Sequence, residues 1–336
     1  MTDDPEAGSE RRALLDIEAI LDCPAASPGA APTCETIGSS REGRPVLTHS
    51  FGSGSRHVSL IGGCHADEPV GPWTLRRLVG FLAGLPEESK LLRDWTWSIV
   101  PHANPDGEIR NLGWSGGPED ERPTGGFDFE AWHRGRTREL PGDDVEFGFP
   151  RDASDTGARP ENRAVAAWLE ARAAVDGPIR VHGSFHGMGI ATGPWFLIDR
   201  AWVDRTATLR ERLAREVRDL GYTLHDVDRG GEKGFDRIGV GFCTRPDSRS
   251  MQRHFLELGD SETAERFRPS SMELARRLGE DALTFVTEMP LFLGNREARS
   301  ANPRQVEALP PMPIRDQTRL QLRFLEEALR AVLAAP

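Results

Sequence analysis

Apolar residues follow two alternating rhythms along this chain. Leu14, Leu15, Ile17, Ile20 and Leu21 have helical spacing and predict a helix over 10–22, followed by a Pro/Ala-rich loop at 23–33. Residues 57–63 (HVSLIGG) are a short apolar run closed by two glycines, and predict a buried strand. Between Pro69 and Leu82 the positions Trp73, Leu78, Val79 and Leu82 return to helical spacing, and 95–101 (WTWSIVP) reads as a second strand. The stretch 111–131 is rich in Gly, Pro and acid around Trp114, Phe127 and Phe129, and predicts a long loop of the kind that often carries function. Beyond it come an amphipathic helix (161–175), a strand (179–185), a long helix (200–220) and a strand over 282–287 that Pro290 closes. A Pro-rich loop at 308–313 leads to a last helix at about 316–333. Strands alternating with helices predict an α/β sandwich, its apolar strands buried on both faces.

Length and charge narrow the picture. The 336 residues fit one large or two small domains, and the expected division is an N-terminal helix and loop (1–34) packed as part of the main unit, 35–336. A net charge of −11 disfavours nucleic acid and anionic membranes as partners. The start, MTDDPEAGSERR, is polar and acidic with no apolar segment behind it, which argues against a secretory leader and for a cytoplasmic location. Lys90 and Lys233 are the only lysines, so the fixed cations are almost all arginine forks suited to anions. The cysteines, Cys23, Cys34, Cys64 and Cys243, form no CxxC pair, which disfavours a cysteine-type zinc site. A Cys23–Cys34 bridge fits the spacing, but reduced thiols are expected in a cytoplasmic chain.

Three places carry candidate chemistry. His65-Ala66-Asp67-Glu68 follows the apolar strand 57–63, where ligands gather in open α/β sheets. Gly62-Gly63 permits a turn that aims His65 and Glu68 at one point, and imidazole plus carboxylate is a zinc-type pair needing a third ligand. By itself His-x-x-Glu is as readily a solvated loop. His186, in GSFHGMG, stands among glycines at the end of another apolar run, with His182 as its competitor. Glu288 ends ALTFVT, and a carboxylate at the end of a buried strand is costly without a partner or a task. The Ser in GSFHG is misplaced for a serine-hydrolase elbow.

Five segments in order strengthen these pieces: Ile37–Val46 (IGSSREGRPV), Gly62–Glu68 (GGCHADE), Asn104–Gly107 (NPDG), His186 and Thr287–Pro290 (TEMP). Together they resemble the M14 zinc metallocarboxypeptidases and their deacylase relatives of the succinylglutamate desuccinylase type, over about 35–295. The resemblance implies a single α/β/α sandwich with a mixed, mostly parallel twisted sheet of about eight strands, and one zinc ion per chain held by His65, Glu68 and His186. It implies Glu288 as the group that takes a proton from water and returns it to the leaving nitrogen, on a small peptide or acylated amino-acid-like substrate. It also implies an oxyanion-binding arginine within Trp132–Arg138, assigned to Arg136 with Arg134 as its rival. Asp144, in GDDVEFGFP, falls on the carboxylate that orients the first zinc histidine.

The resemblance fails in places. Where the family carries the Asn-Arg pair that clamps a terminal carboxylate, this chain has Glu146-Phe147. Like charges about 4 Å apart at an effective dielectric near 20 repel by ~4 kcal/mol, so a free C-terminus is disfavoured there. The one tyrosine, Tyr222, is a poor match to the family's mobile tyrosine, and Arg245 in GFCTRP is the candidate for an anion on the substrate. Three readings follow: a zinc amide hydrolase with a non-standard substrate, a carboxypeptidase whose clamp has moved to Arg110, Arg159 or Arg245, and a non-catalytic binding protein of the same fold.

Overall fold

In chain order the strands of the computed structural model are β1 (Cys34–Ser39), β2 (Pro45–Phe51), β3 (Arg56–Gly62), β4 (Trp95–Val100), β5 (Ile179–Ala191), β6 (Trp195–Ile198), β7 (Arg237–Gly239), β8 (Phe242–Thr244) and β9 (Leu283–Leu293). The helices are α1 (Ile17–Asp22), α2 (Val70–Ala83), α3 (Lys90–Arg93), α4 (Pro105–Ser115), α5 (Phe129–Gly135), α6 (Pro160–Asp176), α7 (Ala207–Asp219), α8 (Ser248–Glu257), α9 (Ser261–Arg266), α10 (Ser271–Leu278) and α11 (Ile314–Ala334). The structure describes residues 13–26, 29, 33–117, 125–295 and 309–335. Residues 10–12 of the expected first helix, parts of the 23–33 loop, 118–124 of the expected long loop and residue 308 lie outside them.

The strands form one sheet in the order β1-β2-β4-β3-β5-β9-β6-β8-β7. The four central strands, β4-β3-β5-β9, are mutually parallel. Parallel pairing needs a long crossover, and helix α2 supplies it between β3 and β4. Short connections force antiparallel pairs at the margins, β1–β2 and β7–β8, and β2 and β6 also join their inner neighbours antiparallel. The mixed α/β sheet is the expected one, with parallel pairing in its four central strands and again between β6 and β8.

Both faces are covered, which explains why the central strands read as unbroken apolar runs. Val58, Leu60, Trp97, Phe185 and Phe285 pack with Leu75 and Leu78 of α2 and with Leu325 and Leu329 of α11, and Leu15, Ile17 and Ile20 join the same core. On the opposite face Ile61 and Val100 meet Val165 and Leu169 of α6 and Leu274 of α10. Several expected boundaries shift. The 200–220 helix is two short 3₁₀ turns, Arg200–Trp202, opened by the Asp199 side chain accepting from the Ala201 N–H, and Asp204–Thr206, followed by α7. The expected 111–131 loop is helical at both ends, because α4 runs on to Ser115 and α5 begins at Phe129. Strands β5 and β9 run well past His186 and Glu288, so both residues are mid-strand rather than terminal. The four cysteines are free thiols. Among the described residues no helix is long and apolar enough to cross a membrane.

Candidate metal centre

The sequence builds this site by turning the chain sharply after β3. Gly63 has φ +70°, and a Cβ there would lie 2.3 Å from the His102 ring. That left-handed turn, open to glycine at little cost, carries His65 back over the sheet. Glu68 sits just before α2, which lies so close on β5 that a Cβ on Gly71 would be 2.2 Å from the Phe185 carbonyl oxygen. Close approach brings the Glu68 carboxylate beside His186 of β5.

Three side chains converge as a result. His65 Nδ1 lies 2.9 Å from Glu68 Oε1, His186 Nδ1 lies 2.9 Å from Glu68 Oε2, and the two Nδ1 atoms are 3.1 Å apart. All three residues are buried, and together they form a group able to hold a metal ion. The donor set fits zinc, since two imidazoles and a carboxylate are its catalytic-type ligands and a tetrahedron with ~2.0–2.1 Å bonds has edges of ~3.3 Å. His182, the competing ligand, is absent from the cluster. It is buried, with Nδ1 3.0 Å from Ser59 Oγ and Nε2 2.9 Å from Ser271 Oγ.

The outward nitrogens have partners too. His186 Nε2 is 2.7 Å from Ser184 Oγ. His65 Nε2 is 2.9 Å from Glu146 Oε2 and 3.9 Å from Asp144 Oδ2. The nearer carboxylate is therefore Glu146, not Asp144, whose Oδ1 accepts the Phe147 N–H and braces the turn between them. Phe147 turns inward and packs on Phe267 with ring centroids 5.5 Å apart.

Glu288 stands directly across from His186 in the β5–β9 register. Alternation along the strands puts His182, Ser184 and His186 on the same face as Thr284, Val286 and Glu288. Burial raises the Glu288 carboxyl well above its ordinary range, and the neighbouring Glu68 and Glu146 charges push the same way. Burial also opposes ionisation of Glu68, but His65, Arg138 and the histidine hydrogen bonds outweigh it and hold that carboxyl well below the usual range. From behind, Gln321 of α11 donates to the His186 carbonyl oxygen and to Thr287 Oγ1 at 3.1 Å each, tying β5 to β9 at the level of the site.

The arginine that reaches the cluster is Arg138. Its Nη1 donates to Glu68 Oε1 at 2.8 Å and to Asp67 Oδ1 at 3.1 Å. Arg136 instead lies over the Trp132 ring, 4.1 Å from its centroid, and Arg134 faces solvent beside Glu130. Tertiary contacts set the register here: Asn111 on α4 grips Thr137 through both its N–H and its carbonyl, beside Arg138, the arginine that meets the cluster. Helix α4 is itself started by the NPDG segment, where Asn104 Oδ1 accepts the Gly107 N–H. Asp106 accepts from Ser40 Oγ, the Glu42 N–H and Arg44, so the IGSSREGRPV and NPDG segments are two halves of one contact.

The remaining candidates lie elsewhere. Arg245 donates to Asp199 at 2.8 Å and to Thr284 Oγ1 at 2.6 Å. Thr284 is four residues before Glu288 on β9, ~13 Å along an extended strand. Arg159 is buried against Glu161 and the Asp143 carbonyl oxygen, and Arg110 pairs with Glu42. Tyr222 follows α7 and donates to Asp316.

A His-Glu-His cluster formed where β3 ends beside the middle of β5, in a mixed α/β sheet, is the arrangement of a metallocarboxypeptidase-type fold. The family model for zinc carboxypeptidase, peptidase family M14, matches residues 17–200. The chain belongs to that family. No curated protein matches the chain. Among solved structures, carboxypeptidase A from Helicoverpa armigera is 13% identical with a TM-score of 0.54, covering 91% of this chain and 69% of that one. Bovine thrombin-activatable fibrinolysis inhibitor, in complex with tick carboxypeptidase inhibitor, is 15% identical with a TM-score of 0.52, covering 98% and 96%.

Proposed function

We propose that this protein is a zinc-dependent amide hydrolase whose substrate is not an ordinary peptide C-terminus. The observation that carries the reading is the convergence of His65 Nδ1, His186 Nδ1 and the Glu68 carboxylate, with Glu288 opposite His186 on the next strand. His65, Glu68 and His186 would hold the ion. When bound, zinc supplies a Lewis acid that polarises a carbonyl group and acidifies water. Glu288 takes the proton from the attacking water on its carboxylate and passes it to the leaving nitrogen. Arg138 offers its guanidinium to the developing oxyanion. Glu146 holds the His65 ring through Nε2 and so fixes which nitrogen faces the cluster.

Substrate choice follows from what surrounds the cluster. Glu146 and Phe147 put a carboxylate and a buried ring where the family resemblance expects a clamp, and the arginines weighed as replacements are engaged elsewhere. The favoured substrate is a small peptide or acylated amino-acid-like molecule with a neutral or amine-bearing group at that position. The test is hydrolysis of peptide pairs differing only in a free or amidated C-terminus, with zinc removed by chelator and restored. Zinc-dependent turnover favouring the amide supports the reading. A strong preference for the free acid would make the protein an ordinary carboxypeptidase, and zinc binding without turnover on any pair would make it a binding protein.

A further inference from the structure

The cavity that does most to change the picture of this protein lies away from the metal centre. It has a volume of about 690 Å³ and is lined from the loop after β6, from the first turn of α8 and from the outer face of α10. Six of its lining residues are Arg151, Arg200, Arg245, Arg249, Arg276 and Arg277, in a protein of net charge −11. None of the proposed metal ligands, nor Glu146, Arg138 or Glu288, belongs to its wall.

The acids offset these cations only in part: Arg245 and Arg276 pair with Asp199 in the wall, and Arg151 and Arg200 with Asp155 and Asp236 outside it, which leaves Arg249 and Arg277 without a carboxylate among the described residues. Asp199 is taken by Arg245 and Thr284. Asp247 caps α8 by accepting the Ser250 N–H. Glu273 accepts from the N–H and hydroxyl of Ser248 and from the N–H of Ser270. Among the cations, Arg277 donates to the Pro150 carbonyl oxygen, an uncharged group, while Arg276 donates to that of Ala282 and also lies 3.9 Å from the Asp199 carboxylate. Arg249, exposed on the first turn of α8, has no acceptor against it among the described residues. Six guanidinium ions face three acids, Asp199, Asp247 and Glu273, around one cavity, and the excess positive charge costs Coulomb energy. Planar forks of this kind are matched by oxyanions of tetrahedral phosphate geometry. The volume lies within the range of small-molecule sites.

We infer that this cavity is a binding site for a phosphate-bearing small molecule, separate from the metal centre and held mainly by Arg249 and Arg277. The inference does not rest on the hydrolase reading and stands or falls without it.

The test is isothermal titration of the zinc-loaded full chain with inorganic phosphate, pyrophosphate and citrate at constant ionic strength. Pyrophosphate should bind with one-to-one stoichiometry and more tightly than phosphate, and raised salt should weaken it. Arg249→Ala and Arg277→Ala are exposed helix-surface changes, and each should weaken pyrophosphate by about tenfold or more. Arg215→Ala/Arg218→Ala, on exposed positions of α7, removes charge elsewhere and should leave the affinity unchanged. Equal loss in that control would reduce the effect to net charge and overturn the site. So would absence of binding, or binding unaltered by the Arg249 and Arg277 changes, which would place the anion on the metal. Citrate binding as tightly as pyrophosphate would overturn the phosphate assignment.

Discussion

His186 and Glu288 face each other across the β5–β9 pairing, each in the middle of its strand. A proposed metal ligand and the proposed proton carrier are thus held by the most deeply buried part of the sheet, not by loops. Ser184 is hydrogen-bonded to one, and Gln321 fastens the hydroxyl of the other's neighbour Thr287. Rigid placement of this kind keeps reacting groups in register without reorganisation.

From that pairing follows the first prediction. Glu288→Gln should fold, retain zinc and lose about 10²–10⁴-fold in turnover, the usual worth of a general acid–base group. Metal analysis alongside kcat checks it, and near-normal turnover with full zinc would remove Glu288 from the chemistry.

Contact between Glu146 Oε2 and His65 Nε2 leads to the second. Removing the hydrogen-bond partner of a metal-bound histidine typically costs 10–100-fold in metal affinity. Glu146→Ala should weaken zinc binding by about that factor in a competition titration, whereas Asp144→Asn should weaken it less. A larger effect at Asp144 would return the orienting role to that residue.

Arg138 and Arg136 are separated by the third. Arg138→Ala should reduce kcat by about 10²–10³-fold, the loss seen when an oxyanion donor is removed. Arg136→Ala, at a residue lying over Trp132, should stay within a few-fold of wild type. Zinc content of the Arg138 variant must be measured with it, because Arg138 also contacts Glu68.

Buried His182 gives a prediction about stability against pH. Burial lowers its pKa from 6.5 to about 3, with Arg245 and His57 adding in the same direction. The facing polar groups are Ser59 and Ser271, and no carboxylate is hydrogen-bonded to it. Its folded-state pKa is depressed, so between about 3 and 6.5 the unfolded chain binds the extra proton. Stability is therefore retained above 6.5 and falls as pH drops below it, by up to about 1.4 kcal/mol per pH unit from this group. His49 and His102, lowered to about 4 by burial, act with the same sign. Urea unfolding at pH 7 and 4.5 should show a smaller loss for His182→Gln than for wild type. An equal loss would mean that His182 does not drive the acid sensitivity.

Much of this protein was legible in one dimension. The apolar runs at 57–63, 95–101 and 179–185 and the helical spacing at 161–175 located the central layers, because burial on both faces leaves an unmistakable composition. His65, Glu68, His186 and Glu288 could be singled out because each stands beside a glycine turn or an apolar run and the family's segments occur in order. Marginal elements such as β1, β7 and β8 went unread, being short, half-polar and stabilised by pairing rather than by their own pattern.

What only the tertiary structure decided are the choices among similar residues a few positions apart. Arg138 rather than Arg136 reaches the cluster because Asn111, from a different helix, holds Thr137. Glu146 rather than Asp144 meets His65 because the Asp144 carboxylate is spent on the turn that presents its neighbour. Arg245 left the substrate region altogether because β6 runs antiparallel to β9, which carries Asp199, and the arginine paired with it, to the opposite end of the sheet. Local pattern fixes which face a residue takes; a two-residue ambiguity in a loop, or the direction of a distant strand, is settled by hydrogen bonds between segments far apart in the chain.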